Sequence, residues 1–250
     1  MKLEKVKGII ISDVDFKESS KVLQVLTKEY GKIGIISKGC KNIKSPLRSV
    51  STKLTYGIFN ITYKENGLST LISVDVLNDF LNIKKDLKKL GYAMYLMDLT
   101  NQVEKDTNNN LFTYLEEALI KINDNFEPMI ITNIVELKYL SFLGVLPILD
   151  KCSICGKEKD IITISSDSGG YVCKDCYTNE YIVNEKTLKL IRMFYYVDIK
   201  KIKELNILDK NKQEINIFLE NYYNRYTGLY LKSKDFLQQI KWLIRKINYN

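Results

Sequence analysis

The stretch KLTYGIFNITYKENGLSTLISVDVL, residues 53–77, decides the fold of the N-terminal part of the chain. Its two halves, Lys53 to Lys64 and Leu68 to Leu77, are rich in β-branched and aromatic residues and predict two long strands. Glu65-Asn66-Gly67 joins them, and Asn-Gly is the favoured pair for a tight hairpin turn. The sequence therefore predicts an antiparallel hairpin here.

Three further strands are predicted upstream of this hairpin, at Val6 to Val14, Ser20 to Thr27 and Lys32 to Lys38. Glu29-Tyr30-Gly31 reads as the turn between the second and the third. Five strands within 80 residues are typical of a small closed barrel, of which the OB-fold is the commonest. The pattern alone does not separate an OB-fold from an SH3-like barrel.

The period of the apolar residues changes after Asp79. Spacings of three and four residues predict helices over residues 80–103, 111–122 and 128–143. Gly144 follows where a helix end favours a left-handed residue, and Pro147 comes shortly after. Three more helices are predicted at residues 185–197, 212–226 and 234–247.

These elements predict an α+β protein. An N-terminal five-stranded OB-fold barrel, residues 1–80, is followed by an all-helical domain, residues 81–250. A four-cysteine zinc element, residues 150–180, is inserted in the helical domain. No apolar stretch is long enough for a transmembrane helix, and the N-terminus does not resemble a signal peptide, so we expect a cytoplasmic protein without membrane association.

The zinc element is predicted from Cys152-x-x-Cys155 and Cys173-x-x-Cys176, which are separated by seventeen residues. Two such pairs fit one tetrahedral zinc ion with four thiolate ligands, a closed shell typical of a structural site. Gly156 allows the tight turn of the first pair, and Gly169-Gly170 reads as a hairpin turn before the second. Two disulfides or a redox dithiol are the alternatives, but disulfides are disfavoured in the cytosol.

Charge and composition point to a polyanionic partner. The net charge is +8. It is concentrated at the two ends of the chain, with +5 over residues 1–80 and +7 over residues 181–250. A basic cytosolic protein meets nucleic acid as its most abundant polyanion. The alternative is a Lys-rich proteome, since the chain has 34 Lys and only 4 Arg.

The chain has no histidine. This composition excludes Ser-His-Asp and Cys-His nucleophile arrangements and every metal site that needs a histidine ligand. We therefore expect a protein that is not an enzyme, and no catalytic residue is assigned.

The most basic local segment is the loop after the third strand, residues 38–48. Lysines bind phosphates as point charges, so this loop predicts salt-sensitive DNA binding without sequence preference. A solvated charged loop is the alternative. Candidate base-stacking aromatics are Tyr30, Tyr56, Phe59 and Tyr63, which could equally be core residues. The candidate DNA-binding residues are Lys32, Lys38, Lys41, Lys44 and Arg48.

Taken in order, several motifs resemble the bacterial RecO family of DNA repair proteins. The most distinctive is the Gly-x-x-Pro that leads directly into the first cysteine pair. The motifs are Thr27-x-x-x-Gly31, Ser37-Lys38-Gly39, Ser45-x-Leu47, Ala93-x-Tyr95-Leu96, Glu136-Leu137, Leu140-x-x-Leu143-Gly144-x-x-Pro147, Ser168-Gly169-Gly170 and Cys173-x-x-Cys176. They cover residues 1–180, whereas residues 181–250 share only helical character. Cys40-Lys41-Asn42 departs from the family, which usually has a small residue followed by adjacent Arg or Lys there.

This resemblance implies a mediator of DNA repair and homologous recombination. Such a protein binds single- and double-stranded DNA, anneals complementary strands and works with RecR to load RecA onto strands covered by single-strand-binding protein (SSB). The resemblance also implies that the helical domain binds the acidic C-terminal tail of SSB, and that the protein associates with the nucleoid during repair.

Two other functions remain open from the residues. A metal-dependent nuclease would need clustered carboxylates, for which Asp13-x-Asp15 at the end of the first strand is the best candidate. A zinc-bearing protein-interaction module without a DNA role is the other alternative.

Overall fold

The computed structural model describes residues 2–103, 110–237, 239 and 240. Its described residues divide into two compact units. The first contains the described residues up to Asp124 and those from Leu231 on, and the second is Asn125–Tyr230. The domain limits at residues 1–80, 81–250 and 150–180 stay a prediction.

The N-terminal residues form a closed five-stranded barrel with the order β1-β2-β3-β5-β4. The pair β3–β5 is parallel and the other neighbours are antiparallel. This is the strand arrangement of an OB-fold, which the strand pattern alone did not separate from an SH3-like barrel. The strands are β1 Lys2–Phe16, β2 Ser20–Thr27, β3 Gly31–Ser37, β4 Tyr56–Tyr63 and β5 Ser69–Asn78.

Strand β1 is longer than predicted because it pairs with two neighbouring strands. Residues from Lys2 to Ile9 pair with β4, and residues from Gly8 to Phe16 pair with β2. The register with β2 shifts between Ile10 and Ser12. Such a bulge bends a strand and lets the sheet close on itself.

The barrel interior is filled by side chains that alternate along the strands. Phe59 is fully buried at its centre. The connection between β4 and β5 is longer than the predicted tight turn, since β4 ends at Tyr63 and β5 begins at Ser69. The amide of Lys64 donates to the Ser69 hydroxyl across this connection, at 3.1 Å.

Helices follow the barrel in the predicted order. The predicted helix over residues 80–103 is two helices, because the carboxylate of Asp86 accepts a hydrogen bond from the amide of Lys89 and starts a new one. The predicted helix over residues 234–247 lies mostly outside the described residues. The helices are α1 Leu81–Lys84, α2 Leu87–Gln102, α3 Asn110–Asn123, α4 Pro128–Phe142, α5 Glu185–Tyr196 and α6 Asp209–Tyr226.

Helix α4 ends as its sequence indicates. Gly144 takes a left-handed conformation with φ of 72°, and the amide of Val145 donates to the carbonyl of Leu140 at 3.0 Å. This reversal provides hydrogen-bond donors for the last helical carbonyls, and the cysteine segment follows it. There, β6 Ile161–Ser165 and β7 Gly170–Cys173 form a two-stranded antiparallel hairpin. Among the described helices, none is long and apolar enough to cross a membrane.

Candidate metal centre and candidate DNA-binding loop

The first cysteine pair lies in a tight turn before β6. The amide of Gly156 donates to the carbonyl of Cys152 at 2.9 Å, and Gly156 has a left-handed φ of 78°. The second pair begins at the end of β7, where Cys173 starts a 3-10 turn that contains Cys176. The hairpin β6–β7 therefore returns the chain so that both pairs meet.

The four sulfur atoms form one cluster. The Sγ atoms of Cys152, Cys155, Cys173 and Cys176 all lie within 4.8 Å of one another. The Sγ atoms of Cys155 and Cys173 are 3.6 Å apart. Four thiolates around a zinc ion with Zn–S bonds of about 2.3 Å stand about 3.8 Å apart, so these positions fit such an ion without rearrangement. None of the four cysteines forms a disulfide.

The electrostatics of the cluster favour an ionised sulfur. Burial opposes ionisation of Cys152, but main-chain hydrogen bonds at Cys155 and Cys173 outweigh it and lower the pKa of the Cys152 thiol to about 6. A hydrogen bond with Cys155 and burial raise the pKa of Cys176 to about 12. Cysteine binds metals as a thiolate, so the four-cysteine cluster favours a metal cation that replaces the thiol protons.

A lysine connects the two halves of the four-cysteine cluster. The ammonium group of Lys157 lies 2.9 Å from a carboxylate oxygen of Asp160 and 2.9 Å from one of Asp175. These carboxylates raise the pKa of Lys157. Asp175 lies between Cys173 and Cys176, so the ion pairs join the first cysteine turn to the second.

The basic loop is anchored to the barrel at its beginning. The amide of Gly39 donates to the Ser20 hydroxyl at 3.2 Å, and the amide of Lys41 donates to the carbonyl of Ser19 at 2.9 Å. Cys40 between them is only 2% exposed, so it is an internal anchor and not a surface residue. The loop therefore starts from the turn between β1 and β2.

Four of the five candidate DNA-binding residues lie in this loop and are exposed: Lys38, Lys41, Lys44 and Arg48. Lys41 forms an ion pair with Asp15 of β1, with 2.7 Å between Nζ and Oδ2. The hydrogen bond from Lys41 lowers the pKa of the Asp15 carboxyl. The sequence carries no signal for this pair, because the two residues are 26 positions apart.

The fifth candidate, Lys32, is placed differently. It is half-buried, and its ammonium group donates to the carbonyls of Asn101, at 3.0 Å, and Val103. These carbonyls belong to the last turn of α2 and its C-cap. A cation at a helix C-terminus stabilises the unpaired carbonyls and the helix dipole. Lys32 thus joins the barrel to α2 within the first unit.

The four candidate aromatics divide into core and surface. Phe59 and Tyr56 are buried, and the hydroxyl of Tyr56 donates to Glu116 of α3. Tyr30 and Tyr63 stack on each other, with ring centres 4.3 Å apart and planes 18° apart. Tyr30 is 40% exposed. Of the four candidate aromatics, the stacked pair Tyr30 and Tyr63 therefore lies at the barrel surface.

Asp13 and Asp15, the candidate nuclease pair, are each bound to a different lysine. Asp13 lies 2.6 Å from the ammonium group of Lys21 and accepts a hydrogen bond from the amide of Lys53 at 3.1 Å. Asp15 pairs with Lys41. Ammonium groups therefore hold both carboxylates in place.

Comparison with known proteins covers almost all of the chain. Residues 1–80 match the family model described as "Recombination protein O N terminal", and residues 84–235 match "Recombination protein O C terminal". A DNA repair protein RecO from Listeria monocytogenes is 33% identical over 96% of both chains. The protein of that name from Halalkalibacterium halodurans is 33% identical over 95% of both chains. The one from Bacillus cytotoxicus is 34% identical over 95% of this chain and 97% of its own. With both family models matched in order and this identity over at least 95% of the chain, the chain belongs to the RecO family of DNA repair proteins.

Proposed function

We propose that this protein is a mediator of DNA repair and homologous recombination that binds single- and double-stranded DNA and anneals complementary strands. One structural observation carries the DNA part of the proposal. Lys38, Lys41, Lys44 and Arg48 project from a single anchored loop beside an OB-fold barrel. Cations at such a position neutralise backbone phosphates and release counterions.

Annealing needs no catalytic residue, because duplex formation is downhill once the repulsion between two strands is screened. The exposed loop cations supply that screening in this proposal. The protein is accordingly proposed not to be an enzyme. Work with RecR, binding of the SSB C-terminal tail and an indirect role in RecA loading rest on family membership, as do cytoplasmic location and nucleoid association.

We further propose that Cys152, Cys155, Cys173 and Cys176 hold one structural zinc ion. Four thiolates leave no open coordination position for water, so the ion would hold the hairpin β6–β7 to the chain before it and would not activate a substrate. The fit of the sulfur positions supports this assignment.

The test is annealing of complementary labelled strands coated with SSB, without nucleotide, at low and moderate salt. We expect fast annealing that slows as salt rises. The variant Lys38→Glu, Lys41→Glu, Lys44→Glu, Arg48→Glu should lose at least about tenfold in DNA affinity, because four phosphate contacts become repulsive. A nuclease would instead nick the DNA in the presence of a divalent metal.

A matched control reverses four exposed cations of the second unit, Lys186, Arg192, Lys200 and Lys203. It changes the net charge by the same amount. Equal loss of affinity in both variants would mean that overall charge, not the loop, binds DNA. A folded, metal-loaded protein that neither binds nor anneals DNA would favour the interaction-module alternative.

A further inference from the structure

The second unit contains a cavity of about 330 Å³ between the hairpin strand β6, the segment around residues 180–183 and helix α6. Ile217 and Phe218 of α6 and Val183 give it an apolar wall. Glu180 and Glu214 give it a polar one. A cavity of this size with a few convergent polar groups is typical of a site for a small ligand or a single side chain.

The charge of the cavity is opposite to that of the chain. Asp167, Glu180 and Glu214 line it together with one cation, Lys210, whereas the chain carries a net charge of +8. Asp167 already pairs with Arg225, at 2.8 Å. Among the described residues, Glu180 and Glu214 form no ion pair. In the part of the chain that the structure describes, the cavity therefore carries two carboxylates without an ion-paired cation.

Glu214 is the more informative of the two because it is only 7% exposed. One oxygen, Oε2, accepts from the amide of Asn184, at 3.1 Å, and from the hydroxyl of Thr187. Asn184 is the N-cap of α5, so this oxygen stabilises a helix N-terminus. That contact explains why a carboxylate is tolerated there.

The other oxygen of Glu214 is less well satisfied. Oε1 accepts from the hydroxyl of Tyr181 at 3.3 Å, longer than the usual O–H···O distance of about 2.8 Å. Tyr181 also lines the cavity and is 68% exposed. A buried carboxylate is stabilised most by a hydrogen-bonded cation, and the helix N-terminus accounts for only one of its oxygens.

We propose that this cavity binds an alkylammonium group. Its ammonium pairs with Glu214 and Glu180, and its aliphatic stem packs on Ile217 and Phe218. A lysine side chain of a partner protein and a free polyamine both have this chemistry. The proposal is independent of DNA binding by the barrel, because every residue that carries it belongs to the second unit.

The test is calorimetric titration of the full metal-loaded chain, without DNA, with spermidine and with the peptide acetyl-Leu-Lys-Leu-amide. Acetyl-Leu-Glu-Leu-amide is the control ligand. We expect both cations to bind and the acidic peptide not to bind. Tighter binding of the peptide would assign the site to a partner's lysine, and tighter binding of spermidine would assign it to polyamines; each result supports the ammonium site.

Three variants locate the binding. Glu180→Gln and Glu214→Gln should each weaken it at least about fivefold, since each removes a charge from the pair. Ile217→Lys should abolish it, because residue 217 is 57% exposed and its new ammonium can fill the cavity. Glu204→Gln removes an exposed carboxylate of the same unit outside the cavity and should change nothing.

Unfolding midpoints are measured for all four variants. If Glu214→Gln does not fold, Glu180→Gln and Ile217→Lys decide the question. The proposal is overturned if neither cation binds at concentrations up to about 10 mM. It is equally overturned if Glu180→Gln and Ile217→Lys bind like the parent, or if the acidic peptide binds as well as the basic one.

Discussion

Gly170 lies in a parallel bridge with Ile148, so close that a β-carbon on Gly170 would stand 2.7 Å from the amide nitrogen of Ile148. The amide of Ile148 donates to Gly169 at 3.0 Å, and its carbonyl accepts from Tyr171 at 2.9 Å. The segment that follows helix α4 is thus held to the hairpin by the main chain. Only a glycine at residue 170 permits this approach, which explains one of the two glycines in the Ser168-Gly169-Gly170 motif.

Gly170→Ala should destabilise the second unit by roughly 2–4 kcal/mol, because the methyl group overlaps the main chain of Ile148 and φ is 155°. The measurement is chemical denaturation with metal present. Gly169→Ala is the matched control. Its nearest neighbour would be the Tyr226 hydroxyl at 3.4 Å, so only the left-handed φ of 77° opposes the change, at about 1 kcal/mol. Equal losses in the two variants would contradict the close-approach argument.

Lys32→Met should lower the free energy of unfolding by about 1–2 kcal/mol, because it removes the cation from the last carbonyls of α2. Lys44→Met should change stability by less than about 0.5 kcal/mol, since Lys44 is exposed. We expect DNA affinity to respond in the opposite order, with the larger loss in Lys44→Met. Denaturation and DNA titration of both variants check this. A larger affinity loss in Lys32→Met would place Lys32 at the DNA and not at the helix end.

Asp15→Asn should increase DNA affinity roughly two- to fivefold at low salt. The substitution releases Lys41 from its ion pair and removes a negative charge beside the loop. Glu18→Gln is the control, since it removes an exposed charge from the neighbouring turn without freeing Lys41. Fluorescence anisotropy with a short single strand is the measurement. Unchanged affinity in Asp15→Asn, or an equal gain in Glu18→Gln, would show that Lys41 does not bind phosphate.

Removal of the metal should lower the unfolding midpoint of the second unit. The purified protein is expected to hold one zinc ion per chain, and Cys173→Ser should reduce this to well below one, because a buried ligand is lost. Elemental analysis after dialysis and thermal unfolding with and without chelator are the measurements. A metal-free protein that unfolds at the same temperature as the loaded one would rule out a stabilising role for the ion.

Much of the architecture could be predicted from local patterns. The five strands, the helix that ends before Gly144 and the hairpin turn at Gly169 follow from periodicity and turn residues, which act over a few positions. The break at Asp86 escaped prediction because the apolar period continues across it, while a single side chain restarts the helix. The length of β1 was not predicted, because a bulge and two partner strands determine it.

The environment of each charged residue was not predictable in the same way. Lys32 and Lys38 look equivalent in the sequence, yet one binds carbonyls 69 and 71 positions away and the other is exposed. Lys41 is exposed as expected but is paired with Asp15. Such contacts depend on how distant segments pack, which composition and spacing do not encode.

The sequence by itself determined the class of fold, the spacing of the four cysteines, the basic loop and the resemblance to the RecO family, because propensity, turn chemistry and motif spacing are local. Only the tertiary structure decided that the barrel closes in the order of an OB-fold and that the four sulfurs converge. It also decided that Lys32 caps a helix, that Gly170 approaches Ile148 and that Glu214 faces an acidic cavity. Each of these relationships joins residues far apart in the chain, and such residues meet only when the apolar faces of strands and helices pack together.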